Sequence, residues 1–175
     1  MRAVIQHVSG QRQEMLDGLL SVFPSASVVE CGGDPMETFC RAMRATEGGA
    51  LFFEDDAILA NGFLAKSDPL CGENIVTFFR RDVAPDGVRF LPGSKWLCNV
   101  GFWVPPGVGK AIADYAKIWP RRLQHPTGFD LLVRDWLVSQ RYRFGAVYPS
   151  LVQHAVGPSL LGPRARDRRS PTWQP

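Results

Sequence analysis

The stretch ALFFEDDAIL, residues 50 to 59, places three adjacent carboxylates directly after an apolar run. The four apolar residues 50–53 predict a short strand that is buried on both faces, as in a parallel sheet. The strand's period of two predicts that Glu54 and Asp56 share one side and that Asp55 faces the other. Because charge is costly in an apolar interior, the carboxylates must lie where a compensating group reaches them.

Strands and helices alternate on the N-terminal side of this stretch. We predict strands in AVIQHVS (3–9) and ASVVECGG (26–33), and helices over 11–23 and 35–47. The second helix has Asp34 as its N-cap and Pro35 at its first position. This order predicts an α/β domain with a mostly parallel central sheet flanked by helices. In such sheets, ligands bind beyond the carboxyl ends of the strands, where the acidic triplet falls.

The second half of the chain has shorter segments. We predict strands over 74–81, 88–91 and 95–106, helices over 109–119 and 129–140, and a last strand followed by a loop within 142–154. Residues 157–175 are rich in Gly, Pro and Arg. We therefore predict one domain over residues 1–162 and a basic, proline-rich tail over residues 163–175.

Length and composition restrict the class of protein. The chain of 175 residues is long enough for one core, and its formal charge of +3 is too small to indicate nucleic acid by itself. The four cysteines lack the spacing of a zinc site or a disulfide framework. No apolar run reaches the roughly 20 residues of a membrane span, and no signal peptide is evident. We expect a cytoplasmic protein, of a bacterium or of a phage-infected host.

The acidic triplet itself suggests a metal site. Two carboxylates held on one side of a strand end repel each other unless a cation lies between them. A hard divalent cation with oxygen ligands, Mg2+ or Mn2+, fits best. The structural alternative is a salt-bridged strand end, or a helix that begins at Asp56.

Two later residues could complete such a site. His154 follows the last predicted strand and could supply an imidazole, although a single histidine is more often structural. Asp130 begins the predicted helix after a Thr-Gly turn. It could cap that helix and interact with its dipole, or act as a general base at the edge of a cleft.

Three motifs occur in the order known from one enzyme class. LFFEDDAIL with GF (51–63), GFDLLVRDWL (128–137) and YPSLVQHAVGPSLLG (148–162) resemble motifs of the GT-A-type nucleotide-sugar glycosyltransferases, especially glycosyltransferase family 25. The resemblance extends from the first strand to about residue 162. It implies a GT-A-like fold and metal-dependent transfer of a sugar, with inversion, from a nucleotide sugar, expected to be a UDP-sugar, to an acceptor hydroxyl.

The resemblance also implies roles for single residues. Asp56 and His154 would bind the cation, Glu54 would act on it or on the ribose, and Asp130 would be the base. The first strand departs from the family pattern of Asn or Asp followed by a basic residue, and Arg12 could equally lie on a solvated helix face. Donor contacts are then expected from Glu54, Asp55, Gln6, His7 and Arg12, and acceptor contacts in the segment 98–104 from Gly101.

The acceptor has two candidate classes. Arg166 and Arg168, in RARDRR (164–169), would suit the phosphates of DNA carrying a hydroxymethylated pyrimidine, or belong to a solvated tail. Trp96 and Trp103 could stack on a flipped base or a sugar ring. The other acceptor is a saccharide of lipopolysaccharide or capsule synthesis. An inactive nucleotide-sugar-binding module and a metal-dependent phosphohydrolase are the alternatives to a transferase.

Overall fold

A computed structural model of the chain describes residues 1–10, 12–155 and 169–175. Among these residues no helix is long and apolar enough to cross a bilayer. The strands are β1 (Ala3–His7), β2 (Ser27–Glu30), β3 (Ala50–Glu54), β4 (Ala57–Leu59), β5 (Val76–Thr77), β6 (Gly87–Pro92), β7 (Gly101–Val104), β8 (Arg143–Tyr148) and β9 (Val152–His154). The helices are α1 (Gln13–Val22), α2 (Pro35–Ala45), α3 (Phe63–Ser67), α4 (Val108–Tyr115) and α5 (Phe129–Ser139).

Seven strands form the central sheet, in the order β2-β1-β3-β7-β5-β8-β6. The predicted α/β class is confirmed. Five of the seven strands run in one direction, as predicted, but β7 and β6 run against them, so the sheet is mixed and three of its six pairings are antiparallel. A buried central strand is an apolar run whether it is parallel or antiparallel to its neighbours. The residue pattern alone therefore does not reveal the direction of the strand.

Strand β3 lies inside the sheet and is packed on both faces. Phe52 contacts Phe39 of α2 with ring centroids 5.7 Å apart, in the cluster that also holds α4 and α5. Phe53 contacts Phe23 at 5.4 Å, in the cluster that holds α1. Burying a side chain of this size contributes about 1.5–3 kcal/mol. The strand that leads into the acidic triplet is therefore held firmly from both sides.

The N-terminus of α2 forms as its sequence predicts. The Asp34 side chain accepts a hydrogen bond from the Met36 backbone N–H at 2.8 Å, and Pro35 occupies the first turn. The cap satisfies one of the backbone donors that every helix start leaves open. It fixes where α2 begins, at the same edge of the sheet as the end of β3.

The last residues of the chain pack against β9. The Ser170 backbone N–H donates to Gln153 Oε1 at 2.9 Å, and the Ser170 hydroxyl donates to the Ser150 hydroxyl at 2.8 Å. Ser170 is buried as a result. The predicted tail over 163–175 thus ends in a packed segment, while its residues 163–168 lie outside the described part of the chain.

The buried Arg80 side chain joins Asp82, Lys95 and Tyr148 beside this segment. Arg80 donates to both carboxylate oxygens of Asp82 at 2.8 Å, to the Lys95 carbonyl at 2.9 Å and to the Tyr148 hydroxyl at 3.1 Å. The Arg80 hydrogen bonds hold the pKa of Asp82 below its ordinary value, and burial of Asp82 opposes that effect. Donation from the Tyr148 hydroxyl lowers it further.

The replacement Asp82→Asn should therefore have a pH-dependent effect on stability. A carboxyl whose folded pKa is depressed stabilises the fold above its unfolded pKa, about 3.9, and loses that contribution as pH falls through the folded pKa. We expect the difference in unfolding free energy between wild type and Asp82→Asn to be constant from about pH 7 to pH 5 and to shrink below about pH 4. Urea unfolding across this range measures it, with Asp86→Asn as the exposed control.

Candidate metal centre

The acidic triplet lies where β3 ends at the carboxyl edge of the sheet. Glu54 is the last residue of β3 and is half-buried, whereas Asp55 and Asp56 are each only 3% exposed. Buried carboxylates require partners, since an unpaired charge in the interior is strongly unfavourable. Arg12 contacts both Asp55 and Asp56, whereas their other partners differ.

A small second sheet brings His154 to this edge. Strand β4 begins immediately after Asp56 and pairs antiparallel with β9, with Ala57 opposite His154. The Ala155 backbone N–H donates to the Asp56 carbonyl at 2.8 Å and closes the pair. Residues 57–59 are therefore a strand, and Asp56 does not begin a helix. Two segments almost 100 residues apart in the sequence thereby meet.

Glu54, Asp56 and His154 form a cluster, which we call the Glu-Asp-His cluster. One ligand atom of each lies within 4.8 Å of the others. His154 Nδ1 is 2.9 Å from the Ala155 carbonyl, which can only accept, so Nδ1 carries a proton. Nε2 faces Asp56 Oδ2 at 3.3 Å. A neutral imidazole would turn a lone pair toward the carboxylate there, so this geometry calls for a proton or a cation between them.

The donor set fits a divalent cation. Asp56 Oδ1 is buried and has no hydrogen-bond partner, so one carboxylate oxygen of the cluster has unused coordinating capacity. Two carboxylates with one imidazole suit a cation that accepts oxygen and nitrogen ligands. The cluster could therefore hold a metal ion, and the fixed Nδ1–H of His154 is the kind of outer hydrogen bond that orients a histidine ligand.

Asp55 contacts the end of β1, whereas Asp56 faces His154. Asp55 Oδ2 accepts from the Val8 backbone N–H at 2.9 Å and from His7 Nδ1 at 3.0 Å. Its Oδ1 accepts from Arg12 Nη1 at 3.1 Å. His7 is itself only 2% exposed, so the two side chains connect the ends of β1 and β3 inside the protein.

Arg12 lies beside the cluster, on the N-terminal side of α1, and is not on a solvated helix face. Its Nη1 contacts both Asp55 Oδ1 and Asp56 Oδ2. Its backbone has a φ of 55°, a left-handed conformation that costs a residue other than glycine about 1–2 kcal/mol. The two carboxylates compensate for this strain, and the guanidinium provides a fixed positive charge next to the proposed metal ligands.

Gln6 and Asp130 lie on the α2–α5 face of the sheet. Gln6 is paired with Glu54 across β1 and β3, which puts the two side chains on the same face. Asp130 is in the first turn of α5, and the neighbouring Phe129 stacks on Phe39 of α2 at 5.1 Å. Asp130 is not one of the three residues of the Glu-Asp-His cluster.

The proposed acceptor residues lie in different places. Trp96 is 3% exposed, donates to Asn99 Oδ1 at 2.7 Å and packs edge-on against core aromatic rings. It cannot stack on an acceptor, and the prediction overlooked how little of this segment reaches the surface. Trp103 is paired with Leu51, three residues before Glu54, and donates to the Gly72 carbonyl. Arg166 and Arg168 lie outside the described residues.

Gly101 provides space inside the protein. A Cβ at this position would lie 3.0 Å from Val152 Cγ2 and 3.1 Å from Phe53 Cδ1. Val152 belongs to β9, which carries His154 two residues later. Because Gly101 has no side chain, β9 can pack closely against β7 at this point. This packing helps to set the position of His154.

The replacement Gly101→Ala should displace β9 and disturb the candidate metal site. An added methyl group in a packed interior typically costs about 1–3 kcal/mol, and any shift of Val152 moves His154 with it. We expect both a lower free energy of unfolding and weaker Mn2+ binding, measured by urea denaturation and metal titration. Gly18→Ala is the matched control, because nothing lies within 4 Å of that position and alanine favours a helix. Unchanged Mn2+ affinity in Gly101→Ala would contradict this account of β9.

Comparisons with known proteins show a similarity of fold. No protein-family model and no curated protein matches the chain. The structure is similar to the crystal structure of A197 from STIV, with a TM-score of 0.54 and 12% sequence identity, over 90% of this chain and 87% of that chain. At this identity the similarity concerns the α/β architecture alone.

Proposed function

We propose that the chain is a metal-dependent glycosyltransferase that moves a sugar from a nucleotide sugar, specifically a UDP-sugar, to an acceptor hydroxyl. The observation that carries the proposal is the Glu-Asp-His cluster at the carboxyl end of β3. Open α/β sheets bind ligands in this crevice. The ordered motifs that resemble glycosyltransferase family 25 supply the reaction class, and a GT-A-like arrangement of the fold is part of the same proposal.

The cluster residues would hold the cation and, through it, the diphosphate of the donor. Asp56 and His154 would be the metal ligands, and Glu54 would bind the ion or the ribose. A bound Mn2+ or Mg2+ would act as a Lewis acid that neutralises charge on the departing diphosphate. Arg12 adds a positive charge beside Asp56, which suits the same anion. His7 contributes by orienting Asp55, since its ring is enclosed.

Asp130 is the proposed base. Its carboxylate would take the proton of the acceptor hydroxyl as that oxygen attacks the anomeric carbon, from the side opposite the diphosphate. Such a single displacement inverts the configuration. The position of Asp130 in the first turn of α5, on the same sheet face as Glu54 and Gln6, supports this role.

Two classes of acceptor are compatible with the proposed reaction. A hydroxymethylated pyrimidine in DNA was expected from basic residues and tryptophans. Two further basic residues, Arg121 and Arg122, are exposed, but they form ion pairs with Asp135 and Asp34. A saccharide acceptor needs no such basic surface. Both classes therefore belong in one experiment.

The test is mass spectrometry after incubation with a panel of UDP-sugars, with Mn2+ or with EDTA. The acceptors are duplex DNA that contains hydroxymethylated cytosine and a set of oligosaccharides. A hexose or pentose increment on one acceptor, present with Mn2+ and absent with EDTA, supports the transferase and identifies its acceptor. Binding of UDP with Mn2+, without turnover of any donor, would instead favour an inactive binding module.

A further inference from the structure

Arg12 and His154 contact the same oxygen atom of Asp56. Arg12 Nη1 is 2.5 Å from Asp56 Oδ2, and His154 Nε2 is 3.3 Å from it. The other oxygen, Oδ1, is buried and has no hydrogen-bond partner among the described residues. A carboxylate of the candidate metal centre therefore has a cationic partner of its own, without any metal ion. The guanidinium keeps its charge at every pH at which the protein is folded.

The backbone of Arg12 keeps the guanidinium at this place. The Arg12 carbonyl accepts hydrogen bonds from the backbone N–H groups of Met15 and Leu16, each at 3.1 Å, so it forms part of the first turn of α1. Arg12 Nη1 also contacts Asp55 Oδ1 at 3.1 Å. The Arg12 side chain is nevertheless 18% exposed, whereas that of either aspartate is 4% exposed. The guanidinium is thus fixed beside two buried carboxylates and still has a surface that a ligand can reach.

The charge of Arg12 acts in opposite directions on the two charged groups of the proposed donor complex. A guanidinium in contact with Asp56 competes with a divalent cation for that carboxylate and repels the cation, because like charges a few ångströms apart interact strongly in a poorly solvated site. The same guanidinium attracts a diphosphate, since arginine is a strong hydrogen-bond partner of phosphate oxygens. Once the diphosphate is bound, it offsets the repulsion between Arg12 and the cation.

We propose that Arg12 couples the binding of the cation to the binding of the donor: it opposes the divalent cation while the diphosphate is absent, and it stabilises the cation and the diphosphate together. The proposal rests on the proposed function and adds to it the reason why the ion is held firmly only as part of the nucleotide complex. Such coupling is reciprocal, so the cation and the diphosphate raise each other's affinity by the same factor.

The replacement Arg12→Gln removes the charge and keeps a side chain that can donate to the aspartates. Electron paramagnetic resonance of free Mn2+ measures the affinity for Mn2+ without nucleotide, and calorimetry measures the affinity for UDP in EDTA and at one fixed concentration of free Mn2+. In the variant we expect Mn2+ alone to bind at least about threefold more tightly, and UDP with Mn2+ to bind about tenfold more weakly. The factor by which Mn2+ raises the affinity for UDP should decrease at least about threefold. Formation of the Mn2+ complex of UDP in solution is the same for every variant and cancels in the comparison.

Three further variants separate the charge of Arg12 from its place in the fold. Arg12→Lys keeps the charge, so its affinity for Mn2+ alone should stay within about twofold of wild type. Arg12→Asn removes the charge and suits the left-handed backbone at this position, which covers the case in which Arg12→Gln does not fold. Arg44→Gln is the matched control, because Arg44 is a half-exposed arginine in the last turn of α2, at the end of the helix away from the metal centre.

The affinity for Mn2+ alone decides the role of Arg12. If neither Arg12→Gln nor Arg12→Asn binds Mn2+ more tightly than wild type, or if Arg12→Lys behaves like Arg12→Gln, the coupling role is overturned and Arg12 serves only to neutralise the buried aspartates. This titration contains no nucleotide, so its failure is distinct from failure of the proposed function. If wild type binds no UDP with Mn2+, the proposed function fails, and the coupling fails with it.

Discussion

Replacing Asp56 with asparagine is expected to weaken Mn2+ binding at least about 100-fold. Loss of a residue that merely supports a metal ligand typically costs 10- to 100-fold in affinity, so loss of a ligand should cost no less. Asp56 is central because Oδ2 faces His154 while Oδ1 is buried without a partner. The electron paramagnetic resonance signal of free Mn2+, followed during titration with protein, measures the affinity without relying on turnover.

Two further variants make the Mn2+ experiment specific. His154→Ala removes the imidazole and should also weaken binding, whereas Asp86→Asn removes an exposed carboxylate far along the chain from the triplet and should not. If Asp56→Asn and Asp86→Asn both titrate like wild type, the Glu-Asp-His cluster is not a metal site. UDP-sugar turnover, where observed, should decrease in the same order as Mn2+ affinity.

The sequence was most informative where a local pattern determines the structure. The apolar run 50–53 predicted β3, because burial on both faces leaves few alternatives. The Asp34-Pro35 start of α2 was equally local, since a cap involves only neighbouring residues. These two features are enough to locate the carboxyl edge of the sheet.

Contacts between distant segments could not be predicted from local patterns, and the meeting of Asp56 with His154 was expected only from the family resemblance. Strand β4 has three residues, and only its pairing with β9 explains why it is a strand and why His154 meets Asp56. The antiparallel direction of β7 depends on the path of the chain, which the residues of the strand do not encode. Burial of Trp96 follows from neighbours that lie in β7 and β8.

Asp55→Asn should be the most destabilising change at this site, through loss of a buried ion pair. Asp55 is 3% exposed and receives hydrogen bonds from the Val8 backbone, His7 and Arg12. Asparagine can satisfy one of these donors, but its own amide hydrogens then face other donors. Removing one partner of a buried pair typically costs about 3–5 kcal/mol. Arg12 keeps Asp56 as a partner, so the lower end of this range is expected.

We expect a loss of about 3 kcal/mol in unfolding free energy for Asp55→Asn, which corresponds to a decrease of roughly 6–12 °C in Tm for a chain of this size. Urea denaturation in EDTA measures the loss without any contribution from metal. Asp86→Asn should be near neutral, and Arg12→Gln should be non-additive with Asp55→Asn, because the two side chains share one ion pair. An additive double variant, or an Asp55→Asn protein as stable as wild type in EDTA, would contradict the structural role. Asp55 would then have to act on a ligand, as the donor-binding hypothesis first suggested.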